Sequence, residues 1–242
     1  MIHVGTSGWQ YDSWKGRFYP RDLPKSEWLA FFSARFSTVE VNNTFYRLPD
    51  ESAFVRWREQ SARGFCVTIK ASRYITHIRR LRDCKDSIDL LWTRCRHLGG
   101  KLGPVLFQLP PRFPADPKLL ADFVPLLPKR MKAAFEFRDR SWERDDVYAI
   151  LDEAGAAFVY ADSPGARVPE VVTGGWSYVR FHKGMRMKPD YPRAKLRRWA
   201  DRIAGLDAHE TWVYFNNDTG GAAIRDAPEL ARMLGERGCP TK

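Results

Sequence analysis

Pairs of polar residues spaced two apart within apolar runs are the feature of this sequence best suited to chemistry. Glu40 and Asn42 form one such pair, and Glu136 and Arg138 form another. Because successive side chains of a strand alternate between its two faces, each pair projects from one face of a predicted strand. A carboxylate there can transfer protons, and a guanidinium can bind a phosphate through two parallel hydrogen bonds. The spacing therefore predicts acid–base chemistry beside an anion-binding group.

A third pair, Arg180 and His182, adds the side chain most often used for proton transfer near neutral pH. Polar residues also end the other predicted strands, whereas the strand middles are apolar. Core packing would require a buried partner for each polar group, so their confinement to strand ends favours a polar pocket. The predicted catalytic residues are Glu40, Glu136 and His182. The predicted substrate-binding residues are Asn42, Tyr46, Lys70, Arg73, His77, Gln108, Arg138, Arg180, Asn216, Asn217 and Asp218.

Several of these residues also have a structural interpretation. Buried charges are normally paired, so Glu40 could simply neutralise Arg138 or Arg180. Glu136 shares a face with Arg138, which favours a fixed ion pair over a free base. The run 216–218 could bind ligand hydroxyls or phosphates, or could instead cap the last helix region. The cations at one opening would repel one another without a counterion, which favours a bound anion.

The order of strands and helices predicts how the polar pairs are positioned. Eight apolar runs are predicted as strands, at 2–6, 38–42, 65–70, 104–109, 133–138, 157–161, 176–182 and 211–216. Helices or long connections separate them, which implies parallel strands, and their number favours a closed (β/α)8 TIM-like barrel over an open sheet. The Pro- and Gly-rich residues 162–175 predict an irregular sixth βα unit. Ligands of such barrels bind at the C-terminal strand ends, where the polar pairs lie.

Local signals set several element boundaries. Asp116 followed by Pro117 predicts an N-cap and the first residue of a helix. Asp50 is predicted to cap an earlier helix, which is expected to end at Gly64. A buried helical stripe is predicted from Cys84, Ile88, Leu91, Cys95 and Leu98.

Known cofactor and metal motifs are missing from the sequence. Cys66, Cys84, Cys95 and Cys239 lack the close spacing of zinc ligands and are predicted to be reduced thiols. The chain has no phosphate loop, no Gly-x-Ser-x-Gly elbow and no His-Glu-x-x-His helix. The arginines near the acidic residues disfavour a divalent cation. We therefore predict no cofactor and no metal site, while a single loosely held ion stays open.

Length and composition fit one globular domain over residues 1–242, since 44% of the residues are hydrophobic and 14% aromatic. The net charge of +11 favours acidic ligands, either a phosphate-containing small molecule or nucleic acid. No apolar stretch is long enough to span a bilayer and no signal-peptide pattern is present. The chain is therefore expected to be cytoplasmic, without a membrane or obligate protein partner.

Uncommon motifs in a fixed order also carry a family resemblance. They are Gly5-Thr6-Ser7-Gly8-Trp9, Val39-Glu40-Val41-Asn42 with Thr44-Phe45-Tyr46, Ile75-Thr76-His77, Gln108-Leu109-Pro110-Pro111, Glu136-Phe137-Arg138 with Ser141-Trp142, Arg180-Phe181-His182 and Tyr214-Phe215-Asn216-Asn217-Asp218. Over nearly the whole chain they resemble the domain of unknown function seventy-two (YecE-like) family. The resemblance implies a TIM-like barrel and leaves the activity open. Lys183 departs from the family pattern, in which the histidine is followed directly by glycine.

Two functions follow from the sequence. The first is a metal-independent enzyme, a hydrolase or isomerase, that acts on a phosphorylated sugar, a nucleotide or a nucleic-acid phosphodiester in the cationic pocket. The second is a non-catalytic nucleic-acid-binding protein that uses the same basic opening. A backbone binder should lose affinity steeply with rising salt, whereas a pocket enzyme should depend on salt less.

Overall fold

A computed structural model describes residues 1–162, 171–182 and 189–242 of the chain. Its sheet is a closed barrel of eight parallel strands, in which each strand pairs with the next and the last pairs with the first. The strands are β1 Ile2–Ser7, β2 Thr38–Val41, β3 Cys66–Lys70, β4 Leu102–Gln108, β5 Ala133–Glu136, β6 Ala157–Asp162, β7 Ser177–Phe181 and β8 Thr211–Phe215. The (β/α)8 TIM-like barrel predicted from the sequence is confirmed.

Helices connect the strands on the outside of the barrel. They are α1 Trp28–Ser33, α2 Asn43–Tyr46, α3 Glu51–Gln60, α4 Lys85–Cys95, α5 Pro117–Phe123, α6 Asp145–Glu153, α7 Arg193–Ala204 and α8 Ala223–Gly235. A π-helical segment, Tyr74–Ile78, follows β3. Between β6 and β7, residues 171–176 contain no helix. The rest of the irregular loop predicted there, residues 163–170, and Lys183 lie outside the described residues.

The barrel interior has a core of its own, separate from the layer between sheet and helices. Buried residues of this inner core are Leu106, Ala134, Ala157, Val159, Trp176, Tyr178, Trp212 and Tyr214. The hydroxyl of Tyr214 lies 2.7 Å from Thr38 Oγ1 and 2.7 Å from Thr68 Oγ1, so the phenol is hydrogen-bonded within the barrel. These rings and hydroxyls fill the barrel beneath the C-terminal strand ends, which gives the opening a solid floor.

The predicted helix signals had different outcomes. Asp116 caps α5 by accepting a hydrogen bond from Leu119 N at 3.0 Å, with Pro117 as the first helical residue, as predicted. Asp50 occupies the N-cap position of α3, but its side chain makes no capping hydrogen bond, so that part of the prediction is wrong.

The predicted end of α3 at Gly64 is also wrong, because the helix ends at Gln60. The hydroxyl of Ser61 donates to Trp57 O at 2.7 Å and so satisfies a carbonyl of the last turn. Gly64 has a φ of 77° and lies in the turn that leads into β3. Its left-handed conformation therefore serves the entry to a strand rather than the end of a helix.

The predicted stripe on the fourth helix is confirmed. Cys84, Ile88, Leu91, Cys95 and Leu98 are all fully buried, and both cysteines are free thiols. Among the described residues, no group of three or more His, Cys, Asp and Glu side chains could hold a metal ion. Within the same ranges, no helix combines the length and apolar character needed to cross a bilayer.

Candidate functional site

A single buried arginine joins two carboxylates at the C-terminal mouth of the barrel. Arg180, the fourth residue of β7, has no exposed surface, and neither do Glu40 of β2 and Glu136 of β5. One Nη of Arg180 lies 2.6 Å from Glu40 Oε1, and the other lies 2.5 Å from Glu136 Oε2. The ion pairs therefore connect three strands that are far apart in sequence and converge only because the sheet closes.

Glu40 accepts hydrogen bonds at both of its oxygens. Besides Arg180, Oε1 accepts from the hydroxyl of Ser7 at 2.6 Å, and Oε2 accepts from the hydroxyl of Tyr178 at 2.6 Å. Burial raises the pKa of Glu40, but the charge and hydrogen bonds of Arg180 outweigh it and leave the pKa below its ordinary value. Glu40 is thus ionised and saturated, which agrees with the ion-pair interpretation left open by the sequence.

The second carboxylate is part of a larger cluster. Glu136 forms ion pairs with Arg138 and Arg180 and lies 3.4 Å from His182 Nε2. Despite burial, Arg180 and His182 hold the pKa of Glu136 well below its ordinary value. Arg138 is 26% exposed, so this guanidinium reaches the surface of the mouth, whereas that of Arg180 does not.

His182 is held between an arginine and an amide. Its Nε2 lies 3.0 Å from Arg138 Nη2, and its Nδ1 lies 3.3 Å from the side-chain amide of Asn216. Burial lowers the pKa of His182, and the nearby arginines lower it further against the pull of Glu136. The imidazole is therefore neutral near pH 7. Arg138 can only donate to Nε2 and the Glu136 carboxylate can only accept from it, so a lone pair at Nε2 suits Arg138 and a proton there suits Glu136.

Lys70, at the end of β3, differs from the other cations of the mouth. Its Nζ donates to Gln108 Oε1 at 2.8 Å and lies 4.2 Å from the centre of the Phe45 ring. Among the described residues, no carboxylate oxygen lies within 4.0 Å of Nζ. Burial, reinforced by the charge of Arg180, lowers the pKa of Lys70 to about 8. Glu40 and Glu136 oppose this shift from a distance, and the described hydrogen-bond acceptor of Lys70 is a neutral amide.

Other predicted binding residues lie on the rim. Arg73 is exposed, and Tyr46 is exposed over 73% of its surface. His77 lies 2.9 Å from Thr76 Oγ1 and packs edge-on against the Phe45 ring, and burial together with Lys70 lowers its pKa. These residues border the ion-pair network without joining it.

Three predicted amide and carboxylate groups have other environments. Asn42 is half-buried and its buried Oδ1 has no hydrogen-bond partner in the described part of the chain. Asn217 donates to Asp226 Oδ2 at 2.7 Å and to Pro189 O at 2.8 Å, so it ties the end of β8 to α8. Asp218 accepts from Trp14 Nε1. Asn217 therefore braces the last helix through a side chain of that helix, and among the described residues no side chain of the run 216–218 caps it.

Two members of the network are absent from the predicted set. Tyr178 lies two residues before Arg180 on β7 and therefore shares its face, so the spacing argument could have identified it. Ser7 is the last residue of β1, and its position at a strand end was the available signal.

A cavity of about 750 Å³ opens at the opposite end of the barrel, lined by His3, Lys132, Glu210 and Trp212 among others. Its lining carboxylate, Glu210, lies 3.2 Å from His3 Nε2 and also pairs with Lys132. Hydrogen bonding to His3 and Lys132 keeps the pKa of Glu210 far below its ordinary value. This cavity lies at the N-terminal strand ends, whereas barrels of this architecture bind ligands at the C-terminal face. We therefore assign the candidate site to the mouth.

Asp218 predicts a measurable pH dependence of stability. Burial raises its pKa to about 6, so the folded state binds a proton more tightly than the unfolded chain, whose Asp titrates near 3.9. Asp218 should therefore contribute a gain in stability as the pH falls from 7 to 5, which His77 and His182 oppose because their pKa values are lowered. Asp218→Asn retains an acceptor for Trp14 but cannot titrate, so its stability should change less favourably than that of the wild type over this range. Thermal unfolding at the two pH values measures the difference.

The exposed Asp207→Asn substitution is the matched control and should reproduce the wild-type change in stability. Burial also raises the pKa of Asp226 to about 6, so the Asp218 variant should keep part of the effect. An Asp218→Asn protein whose change in stability equals that of the wild type would contradict the assignment.

The fold and the mouth together define a TIM-like (β/α)8 barrel protein with an ion-pair network at the end where such barrels place their active sites. The chain belongs to the family described as Protein of unknown function DUF72, whose model matches residues 3–241. The resemblance inferred from the motifs is thereby confirmed.

Relatives of known sequence or structure support this membership. The UPF0759 protein YunF of Bacillus subtilis is 26% identical over 97% of this chain and 95% of its own length. The UPF0759 protein YecE of Escherichia coli K12 is 31% identical over 57% of this chain and 48% of its own length. The crystal structure of a DUF72 family protein from Thermotoga maritima superposes with a TM-score of 0.87 at 28% identity, covering 97% of this chain and 99% of that one.

Proposed function

We propose that the protein is a metal-independent enzyme that acts on a phosphorylated sugar, a nucleotide or a nucleic-acid phosphodiester at the barrel mouth. The supporting observation is a charge imbalance. In the part of the chain that the structure describes, Glu40 and Glu136 are matched against three cations, Arg138, Arg180 and Lys70, and the acceptor of Lys70 there is the amide of Gln108. A bound phosphate would supply the missing negative charge, and the low-dielectric walls of the barrel would strengthen its attraction.

The three cations of the mouth have two different roles in this proposal. Arg138 is partly exposed and Lys70 is half-buried, so both can reach a ligand. Arg180 has no exposed surface and both of its Nη groups are bound to carboxylates. The substrate-binding role predicted for Arg180 therefore passes to Lys70 and Arg138, while Arg180 positions Glu40 and Glu136.

Proton transfer falls to His182 in this proposal. In the tautomer that has its lone pair at Nε2, this atom accepts from Arg138 Nη2 at 3.0 Å. A phosphate that engages Arg138 would draw the guanidinium away and free Nε2 to act as a general base. Glu136 stays ionised beside the imidazole and stabilises the imidazolium that forms. This arrangement suits a hydrolase or an isomerase.

A divalent ion has little to bind at the mouth. Both oxygens of Glu40 accept hydrogen bonds, and both oxygens of Glu136 face guanidinium groups. A metal would have to displace at least one of these arginines and would then meet its charge. The reaction is accordingly proposed to proceed by acid–base chemistry and electrostatic stabilisation alone.

The proposal predicts that phosphorylated ligands stabilise the protein. Inorganic phosphate, glucose 6-phosphate and AMP provide a panel, and at least one should raise the melting temperature at low salt by mass action. Arg138→Ala should reduce that rise strongly, because it removes the exposed guanidinium of the mouth. Arg130→Ala, at an exposed position on the opposite side of the barrel, should leave it unchanged. Differential scanning fluorimetry measures all three proteins.

Two outcomes would contradict the proposal. One is the absence of any shift across the panel at low salt. The other is an equal loss of the shift in the Arg138→Ala and Arg130→Ala variants, since a generally basic surface would then explain the binding.

The alternative is a non-catalytic nucleic-acid-binding protein, favoured by the rim. Tyr46 is 73% exposed, and its neighbour Arg47 and Arg73 are exposed as well. An exposed ring between cations can stack a base while the guanidinium groups hold the backbone. Such a protein would bind single-stranded oligonucleotides with an affinity that falls steeply with salt, and Tyr46→Ala would weaken it more than Arg138→Ala.

A further inference from the structure

We propose that Lys70 is a reactive amine that forms a covalent imine with a carbonyl substrate. The inference builds on the function proposed above, because it narrows the phosphorylated ligand to one with a free aldehyde or ketone. An open-chain sugar phosphate has both a phosphate and such a carbonyl group. Nucleotides and phosphodiesters have no aldehyde or ketone carbon for the amine to attack, so they are excluded as the substrate of this step.

The surroundings of Lys70 make its proton easier to lose than that of an ordinary lysine, although the ammonium form predominates at pH 7. An ammonium group has three donors, yet Nζ has one described hydrogen-bond acceptor, Gln108 Oε1 at 2.8 Å, besides a cation–π contact with the Phe45 ring at 4.2 Å. Glu40 is ion-paired with Arg180 and Glu136 with two arginines, so both carboxylates act on Lys70 only from a distance. A cation removed from water without a directly paired carboxylate is costly, and the loss of one proton relieves that cost.

The neighbouring guanidinium adds to this effect. Arg180 Nη1 lies 3.5 Å from the same Gln108 oxygen that accepts from Lys70, so a second positive charge faces the amine across a shared acceptor. An arginine retains its proton in such an arrangement, whereas a lysine can release its own. The pKa of Lys70, lowered to about 8 by burial and by Arg180, agrees with this geometry.

A neutral Lys70 would be oriented for attack. Gln108 Oε1 accepts one N–H, and the lone pair of nitrogen is then left without a donor among the described contacts. The Phe45 ring covers one side of Nζ and keeps water from that side. Lys70 also ends β3 at the mouth, so a substrate held by Arg138 would meet it there.

The reaction balances without a cofactor. Nζ attacks the carbonyl carbon, a C–N bond forms, and one proton moves from nitrogen to the former carbonyl oxygen, which gives a carbinolamine. This hydroxyl then takes a proton from solvent and leaves as water, while the nitrogen lone pair forms the C=N bond of the iminium ion. Net, the amine, the carbonyl compound and one proton give an iminium ion and one water.

The other half-buried lysines do not share these properties. Lys132 pairs with Glu210, and Lys195 pairs with Asp162. Lys101 donates to Arg58 O, Ser61 O and Ser61 Oγ at 2.6 to 2.9 Å, so all three of its donors are satisfied, although burial and the charge of Arg58 lower its pKa. Lys101 therefore provides an internal control that is buried in part but hydrogen-bonded as a cation.

The test is reductive trapping with glyceraldehyde 3-phosphate as the probe. Sodium cyanoborohydride reduces an iminium ion to a stable secondary amine, and peptide mass mapping locates the adduct. At pH 7 a lysine with a pKa near 8 has a neutral fraction on the order of a hundredfold greater than an ordinary lysine. At limiting probe we expect Lys70 to carry at least about tenfold more adduct than Lys101 or the exposed Lys129.

Two variants test whether the adduct forms at Lys70 and depends on Arg138. Lys70→Arg retains the charge and should abolish trapping at this position while the adduct at Lys129 is unchanged. Arg138→Ala should reduce the Lys70 adduct of glyceraldehyde 3-phosphate to the level given by glyceraldehyde, which lacks the phosphate. Because the wild-type map alone compares Lys70 with Lys101 and Lys129, the test does not depend on any variant folding.

Two results separate this inference from the function on which it builds. Equal adduct at Lys70 and Lys129 would overturn the inference, and a melting-temperature rise with phosphate ligands in the same protein would leave the proposed function standing. Selective adduct at Lys70 with both glyceraldehyde and its phosphate, without any phosphate-induced shift, would support the reactive amine and refute the phosphate site.

Discussion

Replacing Arg180 with methionine is expected to lower the free energy of unfolding at pH 7 by at least about 4 kcal/mol. The arginine is the shared partner of two fully buried carboxylates, at 2.6 and 2.5 Å. Its removal leaves Glu40 with only two hydroxyl donors and Glu136 with a single guanidinium. Urea denaturation followed by circular dichroism measures the change.

Partial rescue identifies the cause of this loss. In Arg180→Met combined with Glu40→Gln and Glu136→Gln, the uncompensated charges are gone, so the triple variant should be more stable than the single variant despite carrying two further substitutions. Arg130→Met is the matched control at an exposed position and should change stability by less than about 0.5 kcal/mol. An Arg180→Met protein within about 1 kcal/mol of the wild type would show that the ion pairs are not what holds the mouth together.

The second large effect is expected from Glu40→Gln. Glutamine has nearly the same shape but carries no charge, so Arg180 would keep only Glu136 as a countercharge. We expect the variant to lose about 3 kcal/mol at pH 7, in the lower part of the range for a broken buried ion pair because one carboxylate remains. The exposed Glu153→Gln should stay within about 0.5 kcal/mol of the wild type.

The pH dependence of the Glu40→Gln effect tests the same assignment. Arg180 holds the pKa of Glu40 below its ordinary value, so the ionised carboxylate stabilises the fold above the pKa of an unfolded glutamate, near 4.3. That stabilisation is lost as the pH falls below this value and through the folded pKa. The difference between wild type and variant should therefore be constant from pH 8 to 6 and shrink below about pH 4.

Glu40→Gln also separates structure from chemistry. Lower stability with unchanged binding of phosphorylated ligands would assign Glu40 to positioning, as its contacts with Ser7, Tyr178 and Arg180 suggest. Intact stability with loss of ligand binding or turnover would assign it to the reaction. Unchanged stability together with unchanged binding would remove Glu40 from both roles.

The architecture of the mouth suggests why such charges are buried at all. Arg180 links β2, β5 and β7 through side chains that cannot relax into water. The linkage fixes Glu136, and Glu136 in turn contacts Arg138 and His182, which reach the opening. A rigid inner layer of charges thus supports an outer layer that meets the ligand, as preorganised sites require.

The sequence by itself indicated that Glu40, Glu136 and Arg180 would lie at the mouth, although it missed Ser7 and Tyr178. Alternation with period two assigns Glu40, Glu136 and Arg180 to one face of their strands, and polar residues at the strand ends mark the ligand-binding end. These rules are local, because they depend only on the backbone geometry of a strand. The same is true of the cap at Asp116, whose donor, Leu119 N, lies three residues away.

The local predictions for the two ends of α3 were wrong. Asp50 stands where a cap was predicted but its side chain makes no capping bond, and the hydroxyl of Ser61 helps to end the same helix before Gly64. Sequence propensity indicates which capping hydrogen bonds a residue is able to make, and the surrounding contacts decide which of these bonds form. Helix ends are therefore less certain than the faces of strands.

Only the tertiary structure decided which charges would meet. Arg180 bonds to partners 140 and 44 residues away, and Asn217 turns from the mouth to Asp226. Closure of the barrel and the register of its strands bring these residues into contact. Neither can be predicted from the alternation of polar and apolar residues in a single strand. Because every carboxylate taken by an arginine is withheld from a lysine, the same closure left Lys70 with an amide as its acceptor. The surroundings of the Lys70 amine are therefore set by closure of the barrel and not by the local sequence.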